Sequence, residues 1–204
     1  VPGSGAIDIS DFYGTSSIIA YTASNATNVS LSSVFGSDWG ASIAKSYTVP
    51  SGVELGATSV SNTALTIPSG MGGTLVLTVS GTISGAGGAG GSGGNNTSYY
   101  GAVSGSSGQT GGDALAVNSN NVTIVNNGTI RAGGGGGGGG GEGQDAYRTN
   151  ANWFQGMEGG GGGNGGRGQG YNHGRQGGSG GSQGSSTRAQ VFTSSVGGSG
   201  GGGG

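Results

Sequence analysis

Few residues of this chain have the types and spacing that nucleotide binding, metal binding or catalysis requires. Residues 85–90 read GAGGAG and follow a predicted strand, which matches the first half of a dinucleotide-binding motif. The second half is absent, because residues 91–96 make a poor helix start and no acidic residue is suitably placed on a second strand. The only lysine, Lys45, follows Ala44 and belongs to no phosphate-binding loop. We therefore expect no nucleotide and no other cofactor.

The ionisable side chains are too few and too scattered to predict an active site. His173 is the single histidine and the chain has no cysteine, so a catalytic triad or a metal site would depend on one residue in a glycine-rich stretch. The carboxylates lie mainly in turns and glycine-rich stretches: Asp8, Asp11, Asp38, Glu54, Asp113, Glu142, Asp145 and Glu158. A glycosidase needs only two carboxylates at the correct separation, so a glycan hydrolase stays open as an alternative. We expect a protein that is not an enzyme and binds no metal.

Aromatic residues inside the polar, glycine-rich stretches are the best candidates for a binding site. A soluble chain rarely exposes a cluster of rings without a function, and rigid rings give a large contact area at a small entropic cost. The predicted receptor contacts are Tyr99, Tyr100, Tyr147, Trp153, Phe154 and Tyr171. The alternative is that these rings fill gaps between glycine segments or lie in a subunit contact.

The composition limits both the fold and the partners. Of 204 residues, 57 are glycine and only 30% are hydrophobic, so one conventional core cannot extend over the whole length. Charged residues make up 7% and the net charge is −2, which argues against nucleic acid as a partner. No apolar run approaches the roughly 20 residues that a membrane-spanning helix needs.

Short strands are predicted wherever apolar residues alternate between turn residues. The period becomes two from Tyr47, continues through Val49, Val53 and Leu55, and returns at residues 64–67. The only plausible helix starts after Ser30 as N-cap, places Leu31, Val34 and Phe35 on one face, and ends at Gly36.

An internal repeat is the most informative feature of the middle of the chain. Residues 75–83 (LVLTVSGTI) align with residues 122–130 (VTIVNNGTI), and both copies lead into a glycine tract. Upstream, residues 64–69 align with residues 114–119. Units of this kind bury their apolar faces by stacking on one another, so we expect a small coiled or layered β-scaffold.

Long glycine tracts form the second architectural element. Glycines fill residues 133–141 and 159–163 without interruption, and the sequence ends in five more at residues 200–204. Such runs can adopt the extended threefold helix of the polyproline II type, and each helix keeps N–H groups that can bond to its neighbours. The alternative is a flexible Gly/Ser linker.

These patterns together predict a mainly β protein with little or no α-helix. Short stacked β-repeats, as a β-helix or a layered scaffold, would lead into packed helices of the polyglycine II type. The predicted divisions are a connector at residues 1–24, which docks by Phe12 and Tyr13, a β-rich scaffold at 25–132, and a glycine-rich tip at 133–204. The scaffold would hold the two repeats, at about residues 60–94 and 110–141.

Two parts of the sequence resemble the glycine-rich module of tail fibre and host-specificity proteins of tailed bacteriophages. The first is residues 122–133 with the glycines that follow, preceded by the Gly-Gly-x-Ala-Leu turn at residues 111–115. The second is the opening segment, residues 1–14, which is similar to a segment that recurs in phage tail proteins.

The resemblance implies a virion protein of a tail fibre or tail tip that attaches to the host. Fibre-tip adhesins of this kind pack glycine helices into a sandwich and present variable loops to the receptor, here residues 95–107 and 144–157. Other tail proteins, copies of this chain in a homotrimer, and a host surface glycan or outer-membrane protein would be its partners. The competing class is an extracellular structural or ice-binding protein built from glycine helices, although the sequence lacks the strict tripeptide period expected there.

Overall fold

The structure, a computed structural model, describes residues 17–94, 103–143, 161–171, 173–174 and 176–180. It describes the backbone alone of residues 146–150, 153–158 and 185–186. Most of the predicted connector, with Phe12 and Tyr13, lies outside the described residues.

Eleven strands in the described part of residues 17–143 form the sheet region. They are β1 Ile18–Thr22, β2 Ala26–Thr27, β3 Val29–Ser30, β4 Ala44–Val49, β5 Glu54–Gly56, β6 Leu65–Ile67, β7 Leu75–Val79, β8 Thr82–Ser84, β9 Leu115–Val117, β10 Val122–Asn126 and β11 Thr129–Arg131. The first sheet has the order β1-β4-β7-β10, the second β2-β5-β8-β11 and the third β3-β6-β9, and all of these pairs are parallel. The chain thus passes through the three sheets in turn and then returns to the first, beside its previous strand.

The strand pairing confirms the internal repeat and the alignment of its two copies. In the first sheet Val122 pairs with Leu75, and in the second Ile130 pairs with Ile83, which is the register that the two sequences predicted. The upstream match is also confirmed, because Leu115 pairs with Leu65 in the third sheet. Similar sequences stack because each apolar residue lies beside its equivalent in the other copy and extends the same row of apolar side chains.

The core lies between the three sheets and is built from the inward residues of each strand. In β4 and β7 every second side chain is buried, so that Tyr47 and Leu77 lie side by side in one interior row. Burial raises the pKa of the Tyr47 phenol above its ordinary value of 10.0, since the ionised form would lose its hydration.

A short helix covers one part of this core. Helix α1, Leu31–Phe35, follows Ser30 and ends at Gly36, as the sequence predicted, and a 3-10 turn continues from Gly36 to Gly40. Gly36 has a φ of 56°, which favours glycine. The ring of Phe35 meets that of Tyr21 edge to face at 5.0 Å between centroids. Among the described residues no helix is long and apolar enough to cross a membrane.

Lys45 occupies an interior position of the first sheet and is only 1% exposed. Its row contains Ile19 on one side and Leu75 on the other. The ammonium group donates hydrogen bonds to the carbonyl oxygens of Ala41, Ile43 and Gly72 at 2.8, 3.1 and 2.8 Å. The buried charge is therefore fully hydrogen-bonded, and it ties two connections between strands to the core.

We expect Lys45→Met to lower the free energy of unfolding by about 3 kcal/mol, because three carbonyl oxygens lose their donor while the side-chain volume is kept. Equilibrium denaturation of the purified chain measures this change. Ser46→Ala, one residue along the same strand and pointing away from the core, is the control and should change stability by less than about 0.5 kcal/mol. Equal stability of Lys45→Met and the parent would show that the three hydrogen bonds only offset the burial of the charge.

A separate antiparallel sheet follows in the chain. Its strands are β12 Ala146–Asn150, β13 Trp153–Glu158 and β14 Ser185–Ser186, with β13 in the centre. Strands β12 and β13 form a hairpin in which Asn150 pairs with Trp153 and Thr149 with Phe154.

Candidate functional site

Glycine-rich segments extend directly from the second sheet. The first glycine segment, residues 85–94, continues from β8, and the third glycine segment, residues 132–143, continues from β11. Because β8 and β11 are paired in parallel, the two segments start side by side and run in the same direction. Every third N–H of the first segment bonds to the third segment: Gly88 to Gly134 at 2.9 Å, Gly91 to Gly137 at 2.8 Å and Gly94 to Gly140 at 2.9 Å.

The second glycine segment, residues 103–113, runs back toward the sheets and bonds to both of these. Its N–H groups donate to the first segment at every third residue: Ser106 to Ser92 at 2.9 Å, Gln109 to Ala89 at 2.8 Å and Gly112 to Ala86 at 2.8 Å. Its carbonyls accept from the third segment with the same spacing: Ser106 from Gly139 at 2.9 Å and Gln109 from Gly136 at 2.8 Å. The second segment then enters β9.

The fourth glycine segment, residues 161–171, also returns toward the sheets, but it uses a different set of carbonyls on the first segment. Gly165 donates to Gly91 and Gly168 to Gly88, at 2.7 and 2.9 Å, while Gly137 of the third segment donates to Gly166 at 2.9 Å. The fifth glycine segment, residues 176–180, lies against the fourth through bonds from Gln176 to Arg167 and from Ser179 to Asn164, at 3.0 and 2.9 Å. We refer to the five segments together as the glycine bundle.

Close approach of backbones explains which positions of the bundle have to be glycine. A Cβ added to Gly136 would lie 2.0 Å from the carbonyl oxygen of Ala89, and one added to Gly139 would lie 1.9 Å from that of Ser92. At Gly135 and Gly138 the nearest atoms are 3.7 and 3.9 Å away, so a methyl group would fit. Positions that allow no side chain thus recur with a period of three.

The same period is present in the first and second segments, where the sequence analysis did not identify it. Side chains of the first segment occur at Ala86, Ala89 and Ser92, and the residues between them are glycine. In the second segment Gly105, Gly108 and Gly111 recur at every third residue, and a Cβ added to any of them would lie within 2.4 Å of a carbonyl oxygen of the third segment. The tripeptide spacing is the sequence signal that predicts this packing, and it assigns residues of the predicted scaffold to the glycine bundle.

Polar side chains of the bundle accept hydrogen bonds from backbone N–H groups of neighbouring segments. The N–H of Ser92 donates to Ser106 Oγ at 2.7 Å, and that of Gly93 donates to Asn164 Oδ1 at 2.8 Å. The N–H of Asn164 in turn donates to Ser179 Oγ at 2.8 Å. These Ser and Asn residues therefore complete the hydrogen bonding of the segments between them.

We expect Gly136→Ala to lower the free energy of unfolding by about 3 kcal/mol or more, because the new methyl group collides with backbone that cannot move alone. Gly135→Ala is the matched control at the adjacent residue, and its effect should stay within about 1 kcal/mol. Thermal and denaturant unfolding of the two variants measure the difference. Equal effects would mean that the segments do not pack at this distance in solution.

At the end of the glycine bundle that is opposite the sheets, four residues lie close together. They flank two aromatic-rich segments of the chain, residues 95–102 and residues 143–161. Gly94 accepts from the N–H of Gly162 at 2.7 Å, and Val103 accepts from the N–H of Glu142 at 2.9 Å. Residues 95–102, which include Tyr99 and Tyr100, connect Gly94 to Val103 in the chain, and residues 143–161 connect Glu142 to Gly162. Both connections therefore start and finish at this end, opposite the sheets.

The structure describes the backbone at four of the six predicted receptor contacts. Tyr99 and Tyr100 lie outside the described residues. Tyr147 is in β12, and Trp153 and Phe154 are in β13, so the connection between Glu142 and Gly162 contains the hairpin. The register puts Tyr147 and Phe154 on one face of that hairpin and Trp153 on the other, because residues alternate between the faces of a strand.

Tyr171 lies at the sheet end of the bundle. Its N–H donates to the carbonyl oxygen of Gly85 at 3.0 Å, and its half-buried ring covers Gly56 of β5, where an added Cβ would lie 2.0 Å from the ring. This placement corresponds to the alternative in which a ring fills a gap beside the glycine segments.

Glu54 and Arg131 form the ion pair of the second sheet. Glu54 Oε1 accepts from Ser84 Oγ at 2.7 Å and lies 3.6 Å from Arg131 Nη2 across the second sheet. His173 and Gly170 exchange backbone hydrogen bonds of 3.2 and 3.1 Å. No group of three or more potential metal ligands occurs among the residues that the structure describes.

A protein family model matches most of the chain. The family model described as "Phage tail fibre adhesin Gp38" matches residues 17–204. The chain therefore belongs to the phage tail fibre adhesin Gp38 family, and its location is the tail fibre of a virion. The resemblance to tail fibre proteins that the sequence indicated is thereby confirmed.

A solved structure of a phage adhesin complex is similar to this chain. The chain is similar to the structure titled "Crystal structure of the gp37-gp38 adhesin tip complex of the bacteriophage S16 long tail fiber", with 19% sequence identity and a TM-score of 0.43. The alignment covers 86% of this chain and 68% of that chain. No curated protein matches the sequence.

Proposed function

We propose that this chain is a non-catalytic adhesin at the tip of the tail fibre, and that its aromatic-rich segments bind a receptor on the host surface. The observation that carries this proposal is the meeting of Gly94, Val103, Glu142 and Gly162 at one end of the glycine bundle. Two connections that contain aromatic residues are thereby anchored at the same end of the glycine bundle. Binding residues on loops that a rigid scaffold positions are the common arrangement in recognition proteins.

We infer that the bundle consists of helices of the polyglycine II type and that the three parallel sheets form a β-helix. Hydrogen bonds that recur at every third residue support the first part, since that helix has three residues per turn. The sign of φ supports it too: among described glycines positive φ occurs at Gly36, Gly52, Gly70 and Gly73, all outside the bundle. Parallel strands that return to the same three sheets in order support the second part.

The chemistry of the candidate residues favours a surface glycan or an outer-membrane protein as receptor. Tyr and Trp combine a large apolar ring with a polar group, and they are frequent hot-spot residues in protein interfaces. The two faces of the β12–β13 hairpin carry different aromatic residues, so a receptor could contact either Tyr147 with Phe154 or Trp153. We assign Tyr171 the packing role against Gly56.

The remaining parts of the chain would connect the adhesin to the virion. A tail fibre adhesin has to be joined to the fibre, so other tail proteins are its proposed structural partners. Copies of this chain, in a homotrimer, are the further partner that the sequence analysis suggested. We propose that the sheet region makes these contacts, because the residues that anchor the aromatic-rich segments lie at the opposite end of the glycine bundle.

Substitution of the hairpin aromatics tests the receptor role. If they are hot-spot residues, Tyr147→Ala, Trp153→Ala or Phe154→Ala should each weaken adsorption of the phage to its host about 30-fold, the equivalent of about 2 kcal/mol. Adsorption rate constants of phages with each variant chain provide the measurement.

The control is Tyr21→Ala, which removes a 40% exposed tyrosine from the first sheet. Its adsorption should stay within about twofold of the parent, because no receptor contact is lost. Adsorption that all three hairpin variants leave unchanged would contradict the proposed role of the hairpin. Loss of adsorption in Tyr21→Ala alone would place the receptor contact on the sheets instead.

A further inference from the structure

Glu142 is the only buried acidic side chain among the described residues, with 8% of its surface exposed. It follows the nine consecutive glycines of residues 133–141 and lies near the end of the third glycine segment. An acidic side chain is rarely buried unless its oxygens bind a donor or a positive charge. The hydrogen bonds of the Glu142 carboxylate therefore show which groups it holds in place.

Glu142 and Val103 are joined by two hydrogen bonds in opposite directions. The N–H of Glu142 donates to the carbonyl oxygen of Val103 at 2.9 Å, and the N–H of Val103 donates to Glu142 Oε2 at 3.1 Å. The first bond continues the backbone pattern of the bundle, whereas the second uses the side chain. Val103 is thus held through both of its backbone polar groups.

The carboxylate serves as an acceptor at the position where the pattern of backbone bonds leaves the described residues. The N–H groups of Gly112, Gln109 and Ser106 donate to the carbonyls of residues 86, 89 and 92 in turn. The same spacing would direct the N–H of Val103 to the carbonyl of residue 95, one residue past the described part of the first segment. Within the described residues that N–H donates to Glu142 Oε2, so at this point a side chain supplies the acceptor.

Only one of the two carboxylate oxygens makes a hydrogen bond, the one from the Val103 N–H to Oε2. Glu142 Oε1 is buried and has no hydrogen-bond partner. A buried acceptor without a donor is unfavourable, and a charged one more so. Glutamine would supply the same acceptor for the Val103 N–H without burying a charge.

We propose that Glu142 is a positioning residue for receptor binding, which fixes the spacing between the two aromatic-rich connections. Residues 95–102 end at Val103, and residues 143–161 begin next to Glu142, so this pair sets the distance between their attachment points. Holding both points before the receptor arrives reduces the entropy that binding would otherwise lose. The inference rests on the proposed function, because it assigns a role in that same site.

The test combines amide exchange in the purified chain with phage adsorption. In Glu142→Ala the exchange rate of the Val103 amide should rise at least tenfold, while the amides of Gly88 and Gly91 stay protected as in the parent. Adsorption of phage with this variant should fall at least tenfold. Glu142→Gln should keep both values within about twofold, because its amide oxygen can still accept from Val103.

Glu54→Ala serves as the matched control. It also removes a carboxylate that accepts a hydrogen bond, from Ser84 Oγ at 2.7 Å, but in the second sheet. Its adsorption and the exchange of the Val103 amide should both match the parent, since neither attachment point is altered.

Three results would overturn the positioning role. The Val103 amide could stay protected in Glu142→Ala, adsorption could stay normal although that protection is lost, or Glu142→Gln could lose adsorption as fully as the alanine variant. The hairpin variants keep this test separate from the proposed function. If they leave adsorption unchanged and Glu142→Ala lowers it, the receptor contact lies elsewhere while Glu142 still controls it.

Discussion

The close approach of backbones in the glycine bundle is the constraint on which the rest of the structure depends. Each segment bonds to its neighbours at every third residue, and the bonds form only if no side chain lies between the two backbones. At Gly136 and Gly139 a single methyl group would already overlap a carbonyl oxygen of the first segment. The large entropy that glycine loses on folding is therefore offset by bonds that no other residue could make at these positions.

The sheets determine where the glycine segments begin and how they are aligned with one another. A glycine tract has no side chains that could select its neighbours or its register, so the information has to come from elsewhere. The pairing of β8 with β11 fixes Thr82 opposite Thr129 and Ile83 opposite Ile130, and the first and third segments continue from these strands with their register already set. The hydrophobic core thus specifies the glycine bundle, although the bundle itself contributes little to that core.

The sequence predicted the parts of the fold in which local patterns repeat. Two similar apolar runs have to stack, which predicts Val122 beside Leu75, and the residues at its two ends predict α1 between Ser30 and Gly36. It did not predict the full stack of β1, β4 and β7, since Lys45 interrupts the apolar row and only its three carbonyl acceptors explain its burial. Nor could it separate Glu142 from the other carboxylates, because its partner Val103 is fixed only by packing between distant segments.

An adhesin built in this way separates the stability of its body from the chemistry of its binding end. The bonds of the bundle run mostly between backbone groups, so they place no demand on residues 95–102 or on the hairpin. If the aromatic residues contact the receptor as proposed, changes in them would alter those contacts without removing a bond that holds the segments together. The exception is Glu142, whose side chain belongs to both parts, since it accepts from the bundle and stands where a connection begins. At that residue a change in the body of the protein would be transmitted to its binding end.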